Sequence, residues 1–102
     1  MDKKRAISIS KKFLEKISSK NYNISQVWIF GSVIKGFAGE DSDIDLAIFL
    51  RDNSKTFDKE VELMSLRHGD EIAIEPHLFN YDDFTSESPL INQIQKTGIK
   101  IH

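Results

Sequence analysis

The order of apolar and polar positions along the chain predicts helices that alternate with strands. Between Lys4 and Lys20, apolar residues recur at steps of three and four, which is the period of a helix with one buried side; they are Ala6, Ile9, Phe13 and Ile17. The run Val27–Phe30 and the aliphatic run Asp43–Leu50 are typical of buried strands. This alternation predicts an α/β or α+β fold in which a small mixed sheet is flanked by helices.

The middle of the chain predicts a further helix and a third strand. The helix is expected from Lys55 to about Arg67, with Ser54 as its N-cap. Its inner side is expected to consist of Phe57, Val61 and Met64, widened by Leu63 and Leu66. Residues 71–79 are expected to form a strand. Pro76 within it predicts a sheet edge or a bulge, because proline lacks the N–H that a hydrogen-bonded ladder needs.

The remaining segments predict a loop, a last helix and a short strand. The stretch from Gly36 to Ser42 is rich in glycine and acidic residues, which favours a loop. Ser88–Pro89 has the pattern of a helix start, and Gly98 that of a helix end; the apolar positions between them are Leu90, Ile91 and Ile94. Residues 99–101 predict a short final strand.

Composition limits the classes of protein that the chain can represent. Its 102 residues fit a single domain spanning 1–102, and it contains no cysteine, which excludes disulfides and thiolate metal sites. The basic N-terminus is not followed by an apolar run, and no window is long and apolar enough to span a membrane. The formal net charge of −2 argues against direct binding of nucleic acid. A cytoplasmic location is expected.

Asp43 and Asp45 are the first candidates for chemistry. They stand two residues apart on a predicted strand, so their side chains are expected on the same side of the sheet. Two like charges in this arrangement repel each other unless a cation lies between them. Oxygen ligands in an open site suit Mg²⁺, and two such ions about 3.5–4 Å apart can serve in-line phosphoryl displacement. The pattern therefore predicts a site for two Mg²⁺ ions.

Gly31 and Ser32 form the second part of the expected site. They follow a buried strand at an expected turn into a helix, where backbone N–H groups can face an anion. Glycine lets the backbone approach a phosphate closely, and the Ser32 hydroxyl can add a hydrogen bond. Ten residues separate Ser32 from Asp43. That length returns the chain to the neighbouring strand, so turn and carboxylates are predicted to meet at one end of the sheet.

Gly-Ser, ten residues and then Asp-x-Asp is the signature of the polymerase β-like nucleotidyltransferases, which this chain resembles. The wider string Ile29–Ser32, followed by Ser42–Ala47, is similar to the small bacterial and archaeal branch called minimal nucleotidyltransferases. The resemblance covers most of the chain and is strongest over residues 27–50. It implies the polymerase β-like nucleotidyltransferase fold and Mg²⁺-dependent transfer of a nucleoside monophosphate, with ATP as the expected donor.

The resemblance also implies roles for particular residues. Gly31 and Ser32 are expected to contact the triphosphate, and the two aspartates of the signature to hold the metal ions. The family often has two arginines in the turn after Gly-Ser, where this chain has Val33 and Lys35. Lys35 can meet a phosphate as a point charge, whereas Val33 cannot. The departure at Val33 puts the affinity for a triphosphate in question.

A third carboxylate on a later strand is a further feature that the resemblance implies. The candidates are Glu71 and Glu75, which would share one side of the predicted third strand with His77. Glu75 is preferred because it lies deeper in the apolar run, and its expected roles are to bind metal and to accept a proton from the attacking hydroxyl. His77 is given less weight, because an isolated histidine on a strand is more often structural or exposed.

Two classes of function remain open at this point. The resemblance implies an enzyme that acts as an antitoxin, pairing with a helical HEPN-type RNase toxin and adenylylating it on tyrosine. The alternative is a binding module with a weak or inactive metal site, which neutralises its partner by forming a complex. Transfer to an antibiotic is disfavoured, because relatives with small-molecule acceptors carry additional acceptor-binding elements and 102 residues leave no room for them.

Overall fold

The computed structural model describes residues 1–36, 43–85 and 88–102. Within these residues the helices and strands follow in the order α1 (Lys3–Ser18), β1 (Ile24–Phe30), α2 (Ser32–Lys35), β2 (Ile44–Leu50), α3 (Phe57–Ser65), β3 (Ile74–Asn80), α4 (Pro89–Thr97) and β4 (Ile99–Lys100). Two 3-10 turns cover Gly69–Ala73 and Tyr81–Thr85. The loop predicted from Gly36 to Ser42 lies, from residue 37 onwards, outside the described residues.

The strands form one mixed sheet in the order β3-β2-β1-β4. β1 runs antiparallel to both β2 and β4, whereas β2 and β3 are parallel. A parallel pair needs a crossover connection, and α3 provides it between β2 and β3. This mixed sheet with its flanking helices confirms the predicted fold class.

The two sides of the sheet are covered by different helices. Alternate residues of a strand point to opposite sides, so β2 contributes one apolar set to each. The side that we call the α1 face is buried with Phe13 and Ile17 of α1 and Leu63 of α3. On the opposite side, the α4 face, a smaller core joins Phe49 of β2 to Ile94 of α4.

The first helix has the buried side that its periodicity predicts. Its predicted apolar positions are all buried, together with Leu14 and Ser10. The helix begins after Asp2, whose carboxylate accepts a hydrogen bond of 2.7 Å from the Arg5 N–H and so caps the first turn. It ends at Ser18, two residues before the expected end at Lys20.

The third helix, α3, differs from the prediction in its start and in its buried side. It begins at Phe57 after Thr56, whose hydroxyl accepts a hydrogen bond from the Lys59 N–H, so the N-cap is Thr56 and not Ser54. The expected inner side was wrong, because its three main residues are exposed: Phe57, Val61 and Met64. Leu63, which was expected only to widen that side, is the residue of the helix that is buried. The helix therefore presents an apolar stripe to its outer side.

The third strand is shorter than predicted. The 3-10 turn from Gly69 to Ala73 precedes it, and pairing with β2 begins only at Ile74. Glu71 thus lies on the turn and does not share a strand side with Glu75. Pro76 stands on β3 at the end of the strand order, which confirms the predicted edge position.

The C-terminal prediction is confirmed in outline. α4 starts at Pro89, buries Ile91 and Ile94, and ends before Gly98, whereas Leu90 is exposed. β4 then pairs antiparallel with Trp28 and Ile29 of β1. In the described part of the chain, no helix has the length and apolar character needed to cross a membrane.

Candidate active site

The candidate site lies at the end of the α4 face where β1 ends and where β2 and β3 begin. The strand register places Phe30 of β1 opposite Asp45 of β2, and Asp45 opposite Glu75 of β3. Directly paired residues point to the same side of a sheet. Asp45 is therefore the centre of a short row that runs across three strands, with a polar neighbour on the β3 side.

The turn at Gly31 fits closely against Asp45. Gly31 has a φ of +87°, a backbone conformation that residues with a side chain rarely adopt. A Cβ atom at this position would overlap the carboxylate of Asp45. The chain then enters the single helical turn α2, which ends at Gly36 in the left-handed conformation. Glycine at position 31 thus allows the turn and the carboxylate to occupy neighbouring positions.

His77 makes the closest polar contact to Asp45. Its Nε2 lies 3.1 Å from the Asp45 Oδ1, and the two side chains are 33% and 26% exposed. The hydrogen bond to Asp45 raises the pKa of His77 above its ordinary value; burial opposes this increase, and the charges of Asp45 and Glu75 support it. The negative charges around His77 therefore favour the protonated, positively charged form of its imidazole.

An aromatic contact fixes the other side of the imidazole ring. The rings of Phe30 and His77 have their centroids 5.2 Å apart, at an angle of 57°. Phe30 is itself part of the buried core of the α4 face. The core therefore supports the histidine on one side, while its Nε2 faces the carboxylate on the other.

Asp45, Glu75 and His77 form a group with the chemistry of a metal site. One ligand atom from each lies within 4.8 Å of the others, and Glu75 is exposed, so a bound ion could keep water ligands. Carboxylate oxygens and a neutral imidazole are common ligands of divalent cations. The set therefore fits a divalent ion.

The structure brings together two of the three residues predicted to bind metal. Asp45 and Glu75 converge, whereas Asp43 is exposed immediately before β2 and is not part of the group of convergent ligand atoms found among the described residues. The role of each residue stays a prediction. His77 joins the group, although a structural or exposed histidine was the stronger expectation. The signal in the sequence was its position two residues after Glu75, on the same side of the strand.

Glu71, the other candidate for a third carboxylate, is engaged elsewhere. Its carboxylate forms an ion pair with Lys16 of α1 and accepts a hydrogen bond of 2.9 Å from the His68 N–H. Burial alone would raise the pKa of Glu71, but the hydrogen bonds from Lys16 and His68 hold it below the ordinary value. The residue connects the 3-10 turn to α1 and is not among the converging metal ligands.

The residues after Gly31 divide between the core and the surface. Ser32 and Lys35 are exposed on α2, where each is accessible to a ligand. Val33 is only 2% exposed and packs in the core of the α1 face. The position where the resemblance leads one to expect a basic residue is therefore a packing position in this chain.

Comparison with known proteins supports the same fold. The family model "Polymerase beta, Nucleotidyltransferase" matches residues 12–102. A protein of Sulfolobus solfataricus described as a candidate nucleotidyltransferase has a similar structure, with a TM-score of 0.68, 19% identity, and coverage of 94% of this chain and 78% of that chain. No curated protein shows significant sequence similarity to the chain.

Two further similar structures are of toxin–antitoxin proteins. One was solved with AMP-PNP and has a TM-score of 0.60, and the other is a mutant of the pair MntA-HpeT with a TM-score of 0.63. Each is 18% identical over 88% of this chain and 69% of that chain. At this identity the likeness shows the fold alone. The family assignment comes from the family model, which matches most of the sequence: the chain belongs to the polymerase beta nucleotidyltransferase family.

Proposed function

We propose that the chain transfers AMP from ATP to a hydroxyl group of a partner protein and thereby acts as an antitoxin. The acceptor that we propose is a tyrosine of a HEPN-type toxin, and the reaction takes place in the cytoplasm. Family membership supports nucleotidyl transfer as the type of reaction. The toxin–antitoxin proteins among the similar structures support the antitoxin role.

One observation carries the assignment of the site. Gly31 lies against the carboxylate of Asp45, and Asp45 is paired across the strands with Glu75. A phosphate-binding turn and metal-binding carboxylates must meet within a few ångströms if they are to act on one triphosphate. In this proposal two Mg²⁺ ions are held by Asp43, Asp45 and Glu75. Bound there, they would neutralise charge on the phosphates and on the attacking oxygen.

The proposed reaction divides the work among the chain's own residues. The acceptor oxygen attacks the α-phosphorus, a new P–O bond forms, and the bond to the β-phosphate breaks so that pyrophosphate leaves. The hydroxyl proton passes to the carboxylate of Glu75, which is exposed and therefore accessible to a docked acceptor. Gly31, Ser32 and Lys35 bind the triphosphate and orient it for an in-line attack.

The outer side of α3 supports the participation of a partner protein. Phe57 is 77% exposed and Val61 49%, and Met64 continues the same stripe one turn further along the helix. A contiguous apolar stripe on the surface is typical of a protein–protein contact. The described residues include no second unit that could position an acceptor, so a docked partner would have to supply that alignment.

Incubation of the chain with labelled ATP and a HEPN-type toxin from the same host tests the proposal. The expected result is Mg²⁺-dependent label on the toxin, located on tyrosine by mass spectrometry, and loss of toxin activity. Phe57→Ser is expected to weaken complex formation, whereas Leu90→Ser, at an exposed apolar residue of α4, serves as the matched control. Efficient transfer to a small molecule with no protein bound would contradict the proposal.

A second candidate function is neutralisation by binding alone. It is favoured by the burial of Val33, which leaves the turn without one of the basic residues that the resemblance implies. In that case the toxin would be inhibited in the complex without being modified. The experiment above separates the two functions, because a binding module would inhibit equally well without ATP and with Asp45→Asn in place of the native chain.

A further inference from the structure

We infer that Asp45, Glu75 and His77 form one site for a first-row transition-metal dication, in which His77 supplies a nitrogen ligand. This site differs from the Mg²⁺ site proposed above in three ways: it holds one ion, it has His77 in place of Asp43, and it prefers another class of ion. The use of the ion in transfer rests on the proposed function. Its binding does not, because binding depends only on these side chains.

The distance between the His77 and Asp45 ligand atoms suits a shared ion. Two ligand atoms about 2.1 Å from an octahedral ion and in adjacent positions lie about 3.0 Å apart. The observed separation of the His77 Nε2 and the Asp45 Oδ1 is 3.1 Å. The separation is therefore close to that of two adjacent ligands of one ion. An ion bound by both atoms would replace the hydrogen bond that now joins them, after a turn of the imidazole that points its lone pair at the ion.

Glu75 can complete the set because its side chain is free to adjust. Its nearest carboxylate oxygen lies within 4.8 Å of the other two ligand atoms, on the strand that pairs directly with that of Asp45. Glu75 is exposed, so a rotamer change can bring the oxygen closer without disturbing the core. The ring of His77 packs against Phe30, which limits its range of orientations while the Nε2 edge stays on the side of the carboxylates.

The nitrogen ligand determines which class of ion binds best. Mg²⁺ prefers an all-oxygen environment and retains its waters, whereas imidazole is a good ligand for the first-row transition metals. The carboxylate of Glu75 therefore suits either class of ion, whereas the imidazole of His77 favours transition metals. Replacement of the imidazole should lower transition-metal affinity while leaving Mg²⁺ affinity nearly unchanged.

Binding of Mn²⁺ to the full chain, without nucleotide or partner, tests the inference. Pulsed EPR of the Mn²⁺-loaded wild type is expected to show coupling to a histidine nitrogen, and ¹⁵N-histidine labelling should change that coupling. His77→Gln is expected to abolish the coupling and to weaken Mn²⁺ binding by about tenfold or more, since loss of a residue that only hydrogen-bonds a metal ligand already costs about 10–100-fold. The Mg²⁺ affinity should change less than about twofold.

His102→Gln is the matched control. It removes a second of the three histidines, at an exposed position at the end of the chain, and should leave the nitrogen coupling intact. Absence of nitrogen coupling in the wild type would overturn the inference, and so would an equal loss of Mn²⁺ and Mg²⁺ affinity in His77→Gln. The labelled wild type decides the matter even where a variant folds poorly. Failure of nucleotide transfer alone would leave the inference standing and count against the proposed function.

Discussion

The two sides of β2 differ sharply, although they belong to the same seven residues. On the α1 face every β2 side chain is fully buried, from Ile44 to Leu50. On the α4 face Asp45 comes first and is partly exposed, and Ala47 and Phe49 behind it are buried. The α1 face of β2 is thus apolar along its whole length, whereas the α4 face is apolar only beyond Asp45.

This difference shows how a small domain can hold a polar site without weakening its main core. Because successive side chains alternate between sides, a carboxylate at position 45 faces away from the core that its neighbours at 44 and 46 complete. The site therefore adds no buried polar group to the α1 face. We expect substitutions at the polar end of the α4 face to change chemistry and substitutions in the α1 face to change stability.

The largest expected effect is on catalysis, at Asp45. Asp45→Asn removes the charge at the centre of the proposed metal site and is expected to lower the rate of nucleotide transfer at least about 10³-fold, or about 4 kcal/mol in activation free energy. Its contact with His77 is partly exposed, so the free energy of unfolding should change by less than about 1 kcal/mol. Transfer assays and thermal melts of one preparation measure both quantities.

Asp45→Asn thus tests whether one residue can control the transfer rate without contributing to the free energy of unfolding. A loss of several kcal/mol of stability in Asp45→Asn would contradict it and would mean that the aspartate holds the sheet together. Full activity in a folded Asp45→Asn protein would instead remove the proposed role in metal binding.

The next effect is on stability, one residue further along the strand. Leu46→Ala deletes a fully buried side chain on the α1 face and is expected to lower the free energy of unfolding by about 3 kcal/mol, through lost burial and the cavity that remains. Below the melting transition, the variant should still bind Mn²⁺ or Mg²⁺ with nearly unchanged affinity. Urea unfolding and metal titration at low temperature give the two values, and a metal affinity reduced as much as in Asp45→Asn would show that the sides are not separable.

The same comparison explains what the sequence could predict. β2 is apolar on both sides beyond Asp45, so its pattern predicts a buried strand wherever it sits in the sheet. The order of Gly31 and Asp45 along the chain also predicts that they meet, because a short connection between neighbouring antiparallel strands brings their ends together. These parts depend on local pattern alone.

The features that the sequence did not predict depend on long-range packing. In α3 the apolar stripe that the pattern shows most clearly, which includes Phe57, is exposed, and the neighbouring Leu63 faces the core. Packing against the sheet decides between these two sides, and the local pattern does not. The contact of His77 with Asp45 depends on the parallel register of β2 and β3, which no motif encodes. The strand predicted at Glu71 was wrong, because this residue lies on a 3-10 turn. Its ion pair with Lys16, 55 residues earlier in the chain, is not visible in the local pattern.

A smaller effect on stability is expected at Glu71, which lies on the α1 side of the molecule. Glu71→Gln leaves the part-buried ammonium group of Lys16 without its counter-charge, and should cost about 1–2 kcal/mol at pH 7 without lowering the transfer rate. Glu75→Gln, the matched change at the site, should do the reverse and slow transfer by about 10²-fold or more. Slower transfer in Glu71→Gln alone would reverse our choice between the two glutamates.

The stability contribution of Glu71 should also depend on pH. Because its pKa is lower in the folded state than the ordinary value of 4.5, the ionised form favours folding and its contribution is fully present above that value. As the pH falls below 4.5 and through the folded-state pKa, the carboxylate becomes protonated and the contribution is lost. The difference in stability between wild type and Glu71→Gln is therefore expected to shrink from pH 6 to pH 3, as urea titrations at each pH would measure.

The smallest expected effect is at Ser10, the one polar residue that α1 buries in the apolar face. Ser10 is fully buried, and its hydroxyl has no hydrogen-bond partner among the described residues. Desolvation of an unpaired hydroxyl costs free energy, and serine is a weaker helix former than alanine. Ser10→Ala should therefore stabilise the protein by about 0.5–1 kcal/mol.

Ser8→Ala is the matched control, because Ser8 is exposed on the same helix and its replacement gives the gain in helix propensity alone. The difference between the two variants in urea unfolding therefore measures the free-energy cost of burying the Ser10 hydroxyl. A destabilised Ser10→Ala protein would show that the hydroxyl does have a partner, and that the α1 face is not apolar throughout.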